Sequence, residues 1–262
     1  MSESVVVGTK HARIARYAAA YEANFDFEGV LVAARRRTVL EFLSHRRPHV
    51  VVEAGCGTEL LCARTAELGL PFEWWVVVEP SSRFAALANS HASTPPGARV
   101  TVVQAFLEDS VDQVMAVCGP ADVVICSSVL HEVDDPVEFL TAARRMLAED
   151  GLLYVDVPNA RSLHRRLARA MGLIGDEAEL SARNRTLGQP RVYDIPGVCA
   201  VVEAAGFDVV DRGGYFVKPF TNAQMADIGF VDGALLDGLW TMGRELPDLA
   251  AEIFCVAGPR SA

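Results

Sequence analysis

The chain has 262 residues, of which 51% are hydrophobic, and its formal net charge at pH 7 is -10. This length is enough for one large domain with a buried core, and the acidic charge argues against a general nucleic-acid binder, which needs a basic surface for phosphate. The N-terminal residues show no secretory signal and no apolar run that could span a membrane. The six cysteines are scattered, without a zinc-type pair or a disulfide framework. We therefore expect a globular cytoplasmic protein with reduced thiols, no metal site, and no nucleic-acid or membrane partner.

The first segment of the chain, residues 1–46, is predicted to be helical. Tyr17 and Tyr21 recur at a spacing that places them on one face of a helix. The pattern breaks at residues 24–29 and resumes from Val30 to Leu43. The tyrosines are either a packing stripe or contacts to a ligand, and the spacing alone favours neither.

A strand and a glycine turn follow between Val50 and Glu59. The β-branched run ends at Glu53, and Gly55 and Gly57 then flank Cys56 before a helix-forming segment. This order is typical of a buried strand, a tight turn and a helix start. Glycines let the backbone approach a ligand closely, and a helix start offers unpaired N–H groups. The pattern predicts a cofactor site at this first strand-to-helix crossing.

The second predicted strand, residues 74–78, ends in Glu79 and Pro80. A carboxylate about twenty residues after the glycine turn can accept hydrogen bonds from the hydroxyls of a ribose. The position therefore predicts a nucleoside cofactor without choosing among such cofactors. A dinucleotide fingerprint would have a third glycine where Leu60 stands, so a nucleotide-dependent oxidoreductase is kept as an alternative.

A further apolar strand ends at Cys126 and Ser127, and His131 and an Asp-Pro helix start come next. His131 would lie at the mouth of the predicted site. Its ordinary pKa near 6.5 suits a general base. The alternative is a histidine that only bonds the loop or caps the next helix.

The segment from Glu53 to Thr58 resembles the E/D-x-G-x-G-[ST] signature of class I methyltransferases that use S-adenosylmethionine, and residues 121–136 resemble that family's fourth motif. The resemblance implies an α/β, Rossmann-like fold with a doubly wound seven-stranded sheet, mostly parallel with an antiparallel last strand, plus N-terminal helices and helical substrate-side insertions. It implies one domain over residues 1–262, made of an N-terminal helical cap (1–46), a cofactor-binding core (47–157) and substrate-side insertions or a lid (158–195 and 218–250).

The resemblance also implies contacts to S-adenosylmethionine and its product S-adenosylhomocysteine. A tyrosine or Arg37 from the N-terminal helices would meet the methionine carboxylate. The family often has an acid at the adenine, where this chain has Ala105, Phe106 and Leu107, so backbone and apolar packing would hold that ring. The implied cofactor contacts are Tyr17, Tyr21, Arg37, Glu53, Gly55, Cys56, Gly57, Glu79, Pro80, Ala105, Phe106, Leu107, Cys126 and Ser127.

The insertion at residues 158–195 is rich in arginine and could attract an anionic acceptor, although a solvated arginine face is an equal reading. We take His164, Arg161 and Tyr193 as candidate substrate contacts and His131 as the candidate base. The expected reaction is methylation of a small molecule of natural-product or sugar metabolism. An oxygen acceptor is preferred to a nitrogen acceptor, and a carbon acceptor is left open. A homodimer through the later insertion, and a catalytically inactive cofactor-binding scaffold, are kept as alternatives.

Overall fold

The computed structural model describes Lys10, Ile14 and residues 27–58, 60–91, 97–228 and 232–261. The strands are β1 (Val50–Ala54), β2 (Trp74–Val78), β3 (Arg99–Val103), β4 (Ala121–Ser127), β5 (Leu147–Pro158), β6 (Phe207–Val217) and β7 (Ala250–Pro259). The helices are α1 (Glu28–Arg46), α2 (Leu61–Glu67), α3 (Ser82–His91), α4 (Val111–Cys118), α5 (Pro136–Met146), α6 (Leu163–Ala170), α7 (Ala182–Leu187), α8 (Ile195–Ala204), α9 (Asn222–Ala226) and α10 (Gly233–Glu245), and a 3-10 turn spans Pro247–Leu249.

The seven strands form one sheet in the order β3-β2-β1-β4-β5-β7-β6. The pairs from β3 to β5 are parallel, and β7 runs antiparallel to both β5 and β6. The predicted Rossmann-like sheet with an antiparallel last strand is therefore confirmed. Strand order reverses between β1 and β4, the kind of place where open α/β sheets bind ligands at the strands' carboxyl ends.

Both faces of the sheet are covered, as the β-branched runs of the central strands require. Along β1, Val52 and Ala54 join the core beneath α4, α5 and α8. Val51 points the other way, into the core beneath α1, α2, α3 and α10. Side chains alternate between these layers because successive strand residues face opposite sides.

The predicted break at residues 24–29 is partly wrong, because α1 already begins at Glu28. Tyr17 and Tyr21 lie outside the described residues. β6 is continuous through Gly213 and Gly214. Among the residues that the structure describes, none of the helices combines the length and the apolar character that a membrane crossing demands.

Helix α10 packs closely on β6 at Gly243. A side chain there would overlap the backbone of Tyr215 and Phe216. We expect Gly243→Ala to lower the free energy of unfolding by about 3 kcal/mol, since a packed backbone cannot make room without shifting. Denaturant unfolding measures the change.

The matched control is Gly238→Ala on the same helix, where a Cβ meets no atom within 4 Å. We expect this variant to be neutral or stabilised by up to about 1 kcal/mol, because alanine is the better helix former. Equal stability of the two variants would show that α10 does not pack on β6 as described.

Candidate active site

The turn after β1 is built for close approach of a ligand. Gly55 and Gly57 have φ angles of 78° and 59°, in the left-handed region that strains other residues. The Gly55 N–H donates to the carbonyl of Val78 at 2.8 Å, which holds the turn against the end of β2. A Cβ at position 57 would meet no atom within 4 Å, so the glycine faces open space that a ligand can enter.

Glu79 links the loops that follow β1 and β2. Its Oε2 accepts from the Cys56 N–H at 3.1 Å, and its Oε1 accepts from the Ser81 N–H at 2.8 Å. Burial raises the pKa of this carboxyl, while the backbone donors partly offset the rise. A carboxylate has about four lone-pair sites, and the Cys56 thiol is a further, weaker donor 3.8 Å from Oε2, so ribose hydroxyls would share this carboxylate with donors of the chain.

A cleft, here called the cofactor cleft, opens at the carboxyl ends of β1, β2 and β4. Its lining includes Arg35, Arg36, Glu53, Gly55, Cys56, Gly57, Glu79, Pro80, Ser127, Ser128, Val129 and Glu132. An adjoining pocket shares Gly55, Pro80 and Val129 with it and adds Phe106, Leu107 and Glu108. The predicted residues Glu53, Gly55, Cys56, Gly57, Glu79, Pro80, Phe106, Leu107 and Ser127 are therefore brought together along one continuous groove.

Two of the predicted small residues do not face this groove. Cys126 is fully buried in the core, because it precedes Ser127 on β4 and so points to the opposite face of the sheet. Ala105 packs against the same core, and the groove is lined by the next two residues. The prediction of cofactor contact by the Cys126 and Ala105 side chains is therefore corrected.

Arg37 is also misplaced by the prediction. Its Nη1 lies 2.6 Å from Oδ1 of Asp237, and its guanidinium stacks 3.8 Å from the ring centroid of Trp240, outside the cofactor cleft. Adjacent helical residues point about 100° apart, and the arginine that lines the cleft is Arg36. The Arg36 Nη2 donates to the carbonyl of Cys56 at 3.3 Å, and its Nη1 lies 3.6 Å from Oε1 of Glu53.

Glu108 lies at the groove, which the sequence pattern did not require. Its Oε1 pairs with Nζ of Lys10 at 3.1 Å, and the same ammonium lies 5.4 Å from the Phe106 ring centroid. The only indication in the sequence was that an acidic residue stands two positions after Phe106. Glu108 thus places a carboxylate beside Phe106 and Leu107 in the adjoining pocket.

A second cavity, here called the substrate-side pocket, meets the cofactor cleft at Arg35, Ser128 and Glu132, which line both. Its other lining residues include Glu28, His131, Asn159, His164, Arg165, Arg183, Asn184, Gln189, Lys218, Asn222 and Glu252. Its wall is rich in charged and amide side chains. Such a wall suits an acceptor with several hydrogen-bonding groups.

The two candidate histidines both line the substrate-side pocket. Burial, with the charge of Arg35, lowers the pKa of His131 to about 3, and its Nε2 lies 3.6 Å from Oε1 of Glu132. Burial, with Lys218 and Arg165 nearby, lowers the pKa of His164 to about 3. Both rings are therefore neutral at pH 7, and both are weak bases there.

The remaining substrate candidates lie elsewhere. Arg161 is exposed, with its Nε 3.7 Å from Oε2 of Glu177, and it does not line the substrate-side pocket. Tyr193 is buried in the core beneath the sheet, and its backbone pairs with Asn159. Neither the Arg161 nor the Tyr193 side chain is placed for substrate contact, so both predictions are corrected.

A buried charge cluster connects the two cavities. Arg35 Nη2 lies 3.2 Å from Oε1 of Glu252 and 3.5 Å from Oε1 of Glu28, and its Nε lies 3.9 Å from Oδ1 of Asp156. Asp156 also accepts from the Ser127 hydroxyl at 3.0 Å and from the Ser128 N–H at 2.8 Å. Sequence reasoning missed this cluster, whose members come from α1, β5 and β7.

Residues 30–212 match the methyltransferase domain family, and the chain belongs to that family. A ubiquinone biosynthesis O-methyltransferase of Ruegeria sp. (strain TM1040) is 29% identical over 175 residues, covering 64% of each chain. A protein of the same name from Caulobacter sp. (strain K31) is 32% identical over 130 residues, covering 48% of this chain and 46% of the relative. The chain thus aligns with less than two thirds of the length of these relatives.

Solved structures confirm the fold. The plantazolicin methyltransferase BamL, in complex with a triazolic desmethylPZN analog and S-adenosylhomocysteine, has a TM-score of 0.60 at 13% identity, with full coverage of both chains. A possible histamine N-methyltransferase from Thermotoga maritima has a TM-score of 0.56 at 18% identity, covering 95% of this chain and 99% of that one. The family and the fit of the glycine turn and Glu79 identify S-adenosylmethionine as the cofactor.

Proposed function

We propose that the protein transfers the methyl group of S-adenosylmethionine to a small polar molecule, at oxygen before nitrogen, with carbon as a third option. The supporting observation is that the cofactor cleft and the substrate-side pocket share Arg35, Ser128 and Glu132 as walls. An acceptor in the second cavity would therefore lie against a cofactor in the first. The O-methyltransferase names of the curated relatives favour oxygen.

The cofactor supplies an electrophilic methyl group, and the chain's own residues supply position. The glycine turn, Arg36 and Glu79 would hold the cofactor from three sides of the cleft. Amide and charged groups of the substrate-side pocket would orient the acceptor. The polar wall fits an anionic or hydroxylated metabolite, and natural-product or sugar metabolism stays our proposed context.

Calorimetric titration tests the cofactor, and transfer of a tritiated methyl group to a panel of hydroxy, amino and sugar compounds tests the reaction. We expect S-adenosylmethionine and S-adenosylhomocysteine to bind, NAD to show no binding, and at least one hydroxyl compound to become labelled. Binding of NAD alone would support an oxidoreductase instead. Binding of the S-adenosyl compounds without labelling of any compound would favour a scaffold role.

We propose that Arg36, and not Arg37, binds the methionine carboxylate. A hydrogen bond to a charged group contributes about 1.5–3 kcal/mol, so we expect Arg36→Gln to weaken S-adenosylhomocysteine binding at least about tenfold. The neighbouring Arg37→Gln is the matched control, with unchanged affinity, because its guanidinium contacts Asp237 and Trp240. Calorimetry gives both dissociation constants. If Arg37→Gln weakens binding and Arg36→Gln does not, Arg37 is the residue that binds the methionine carboxylate.

A further inference from the structure

Glu252 is a buried acid in the wall of the substrate-side pocket. It lies on β7, next to the edge strand β6, opposite Pro158 on β5 and Tyr215 on β6, and it is only 2% exposed. Its Oε1 accepts a hydrogen bond from Arg35 Nη2 at 3.2 Å. Its Oε2 is buried and has no hydrogen-bond partner among the described residues. A buried carboxylate oxygen without a donor is unfavourable unless a ligand or a proton satisfies it.

The charges around Glu252 come from several elements. Arg35 and Glu28 face it from α1, Asp156 from β5, and Lys218 from the end of β6, while the hydroxyls of Tyr154 and Tyr215 approach from β5 and β6. Burial raises the pKa of Glu252 to about 7, although Arg35 opposes the rise. Three carboxylates thus share one buried guanidinium, and a pKa of about 7 allows Glu252 to exchange a proton near neutral pH.

We propose that Glu252 is the general base of the methyl transfer, with Oε2 taking the proton of the acceptor. This inference rests on the proposed function. In the step, a lone pair of the acceptor oxygen forms the new bond to the methyl carbon and the bond from that carbon to sulfur breaks. Its electron pair stays on sulfur, and the acceptor's proton passes to Glu252 as the oxygen loses its developing positive charge.

His131 is the competing base in the same pocket. Its Nδ1 is likewise buried without a hydrogen-bond partner among the described residues. Its conjugate acid is strongly disfavoured, however, because burial and Arg35 lower the pKa to about 3. Arg35 lowers the pKa of both groups, which leaves His131 neutral and partly offsets the rise that burial causes in the pKa of Glu252.

An infrared pH titration of the protein, without any acceptor, tests the acid directly. The difference spectrum between wild type and Glu252→Gln should contain a protonated-carboxyl band that disappears as pH rises through about 7. The matched control is Glu245→Gln at the exposed end of α10, which should leave that band in place. A wild-type spectrum without such a band between pH 5.5 and 8.5 would overturn the proposal.

The second readout is the rate of methyl transfer to those panel compounds that accept the tritiated methyl group. Glu252→Gln should reduce kcat by about 10²–10⁴-fold, with S-adenosylhomocysteine affinity within about twofold of wild type, and His131→Gln should reduce kcat less. A retained rate in Glu252→Gln would overturn the assignment of the base. If the wild-type protein does not bind S-adenosylhomocysteine, the proposed function is overturned instead. The infrared titration would still decide whether Glu252 exchanges its proton near pH 7.

Discussion

Glu79→Ala is expected to weaken binding of S-adenosylmethionine and S-adenosylhomocysteine by about 100-fold or more. The carboxylate would accept hydrogen bonds from two ribose hydroxyls, each contributing about 1.5 kcal/mol because the acceptor is charged. It also fixes the glycine turn, since its Oε2 accepts from the Cys56 N–H. Calorimetry with S-adenosylhomocysteine measures the loss.

The matched control for this variant is Glu73→Ala, at the other end of β2. Glu73 is exposed and pairs with His49, so its removal should leave cofactor affinity unchanged. Thermal unfolding of both proteins checks that the sheet is intact. A folded Glu79→Ala protein with wild-type affinity would mean that the ribose lies elsewhere.

Arg35→Met is expected to lower the free energy of unfolding by about 3–5 kcal/mol at pH 8, as removal of one partner from a buried ion cluster does. The variant leaves Glu28, Asp156 and Glu252 without their shared cation. Burial already raises the pKa of Asp156 and Glu252, and loss of Arg35 raises both further. Denaturant unfolding at several pH values measures the effect.

The pH dependence of this variant has a defined sign. A carboxyl whose folded pKa exceeds its unfolded value stabilises the fold at low pH and loses that contribution as pH rises through the folded pKa. The difference in free energy of unfolding between Arg35→Met and wild type should therefore become smaller from pH 8 to pH 5. Arg37→Met, two residues along the helix, should cost at most about 1 kcal/mol at either pH. An equally small effect at position 35 would argue against the buried cluster.

The cofactor half of the site was predictable because its signals are local. Gly55, Gly57 and Glu79 follow directly on apolar strands, so the chain places them at the same sheet edge by parallel pairing alone. It was harder to predict which side of a helix or strand each side chain faces. Three successive arginines do not reveal which of them faces inward, and this is why Arg37 was predicted where Arg36 lies.

The acceptor half depends on contacts that sequence periodicity does not report. Arg35 and Glu252 are 217 positions apart, and Asp156 reaches the cluster from a third element. Each looks ordinary in its own segment, because a single acid or base in a strand or helix predicts no partner. Only the order of the strands brings them together.

The position of β7 between β5 and β6 has a consequence for the order in which the molecule is assembled. Among the described strands, β6 pairs with β7 alone, so it cannot join the sheet until a later segment of the chain has been made. Every described residue that lines the cofactor cleft precedes residue 133. A growing chain therefore contains every described residue that lines the cofactor cleft well before it contains Glu252, so the proposed contacts to the methyl donor are synthesised before the proposed base.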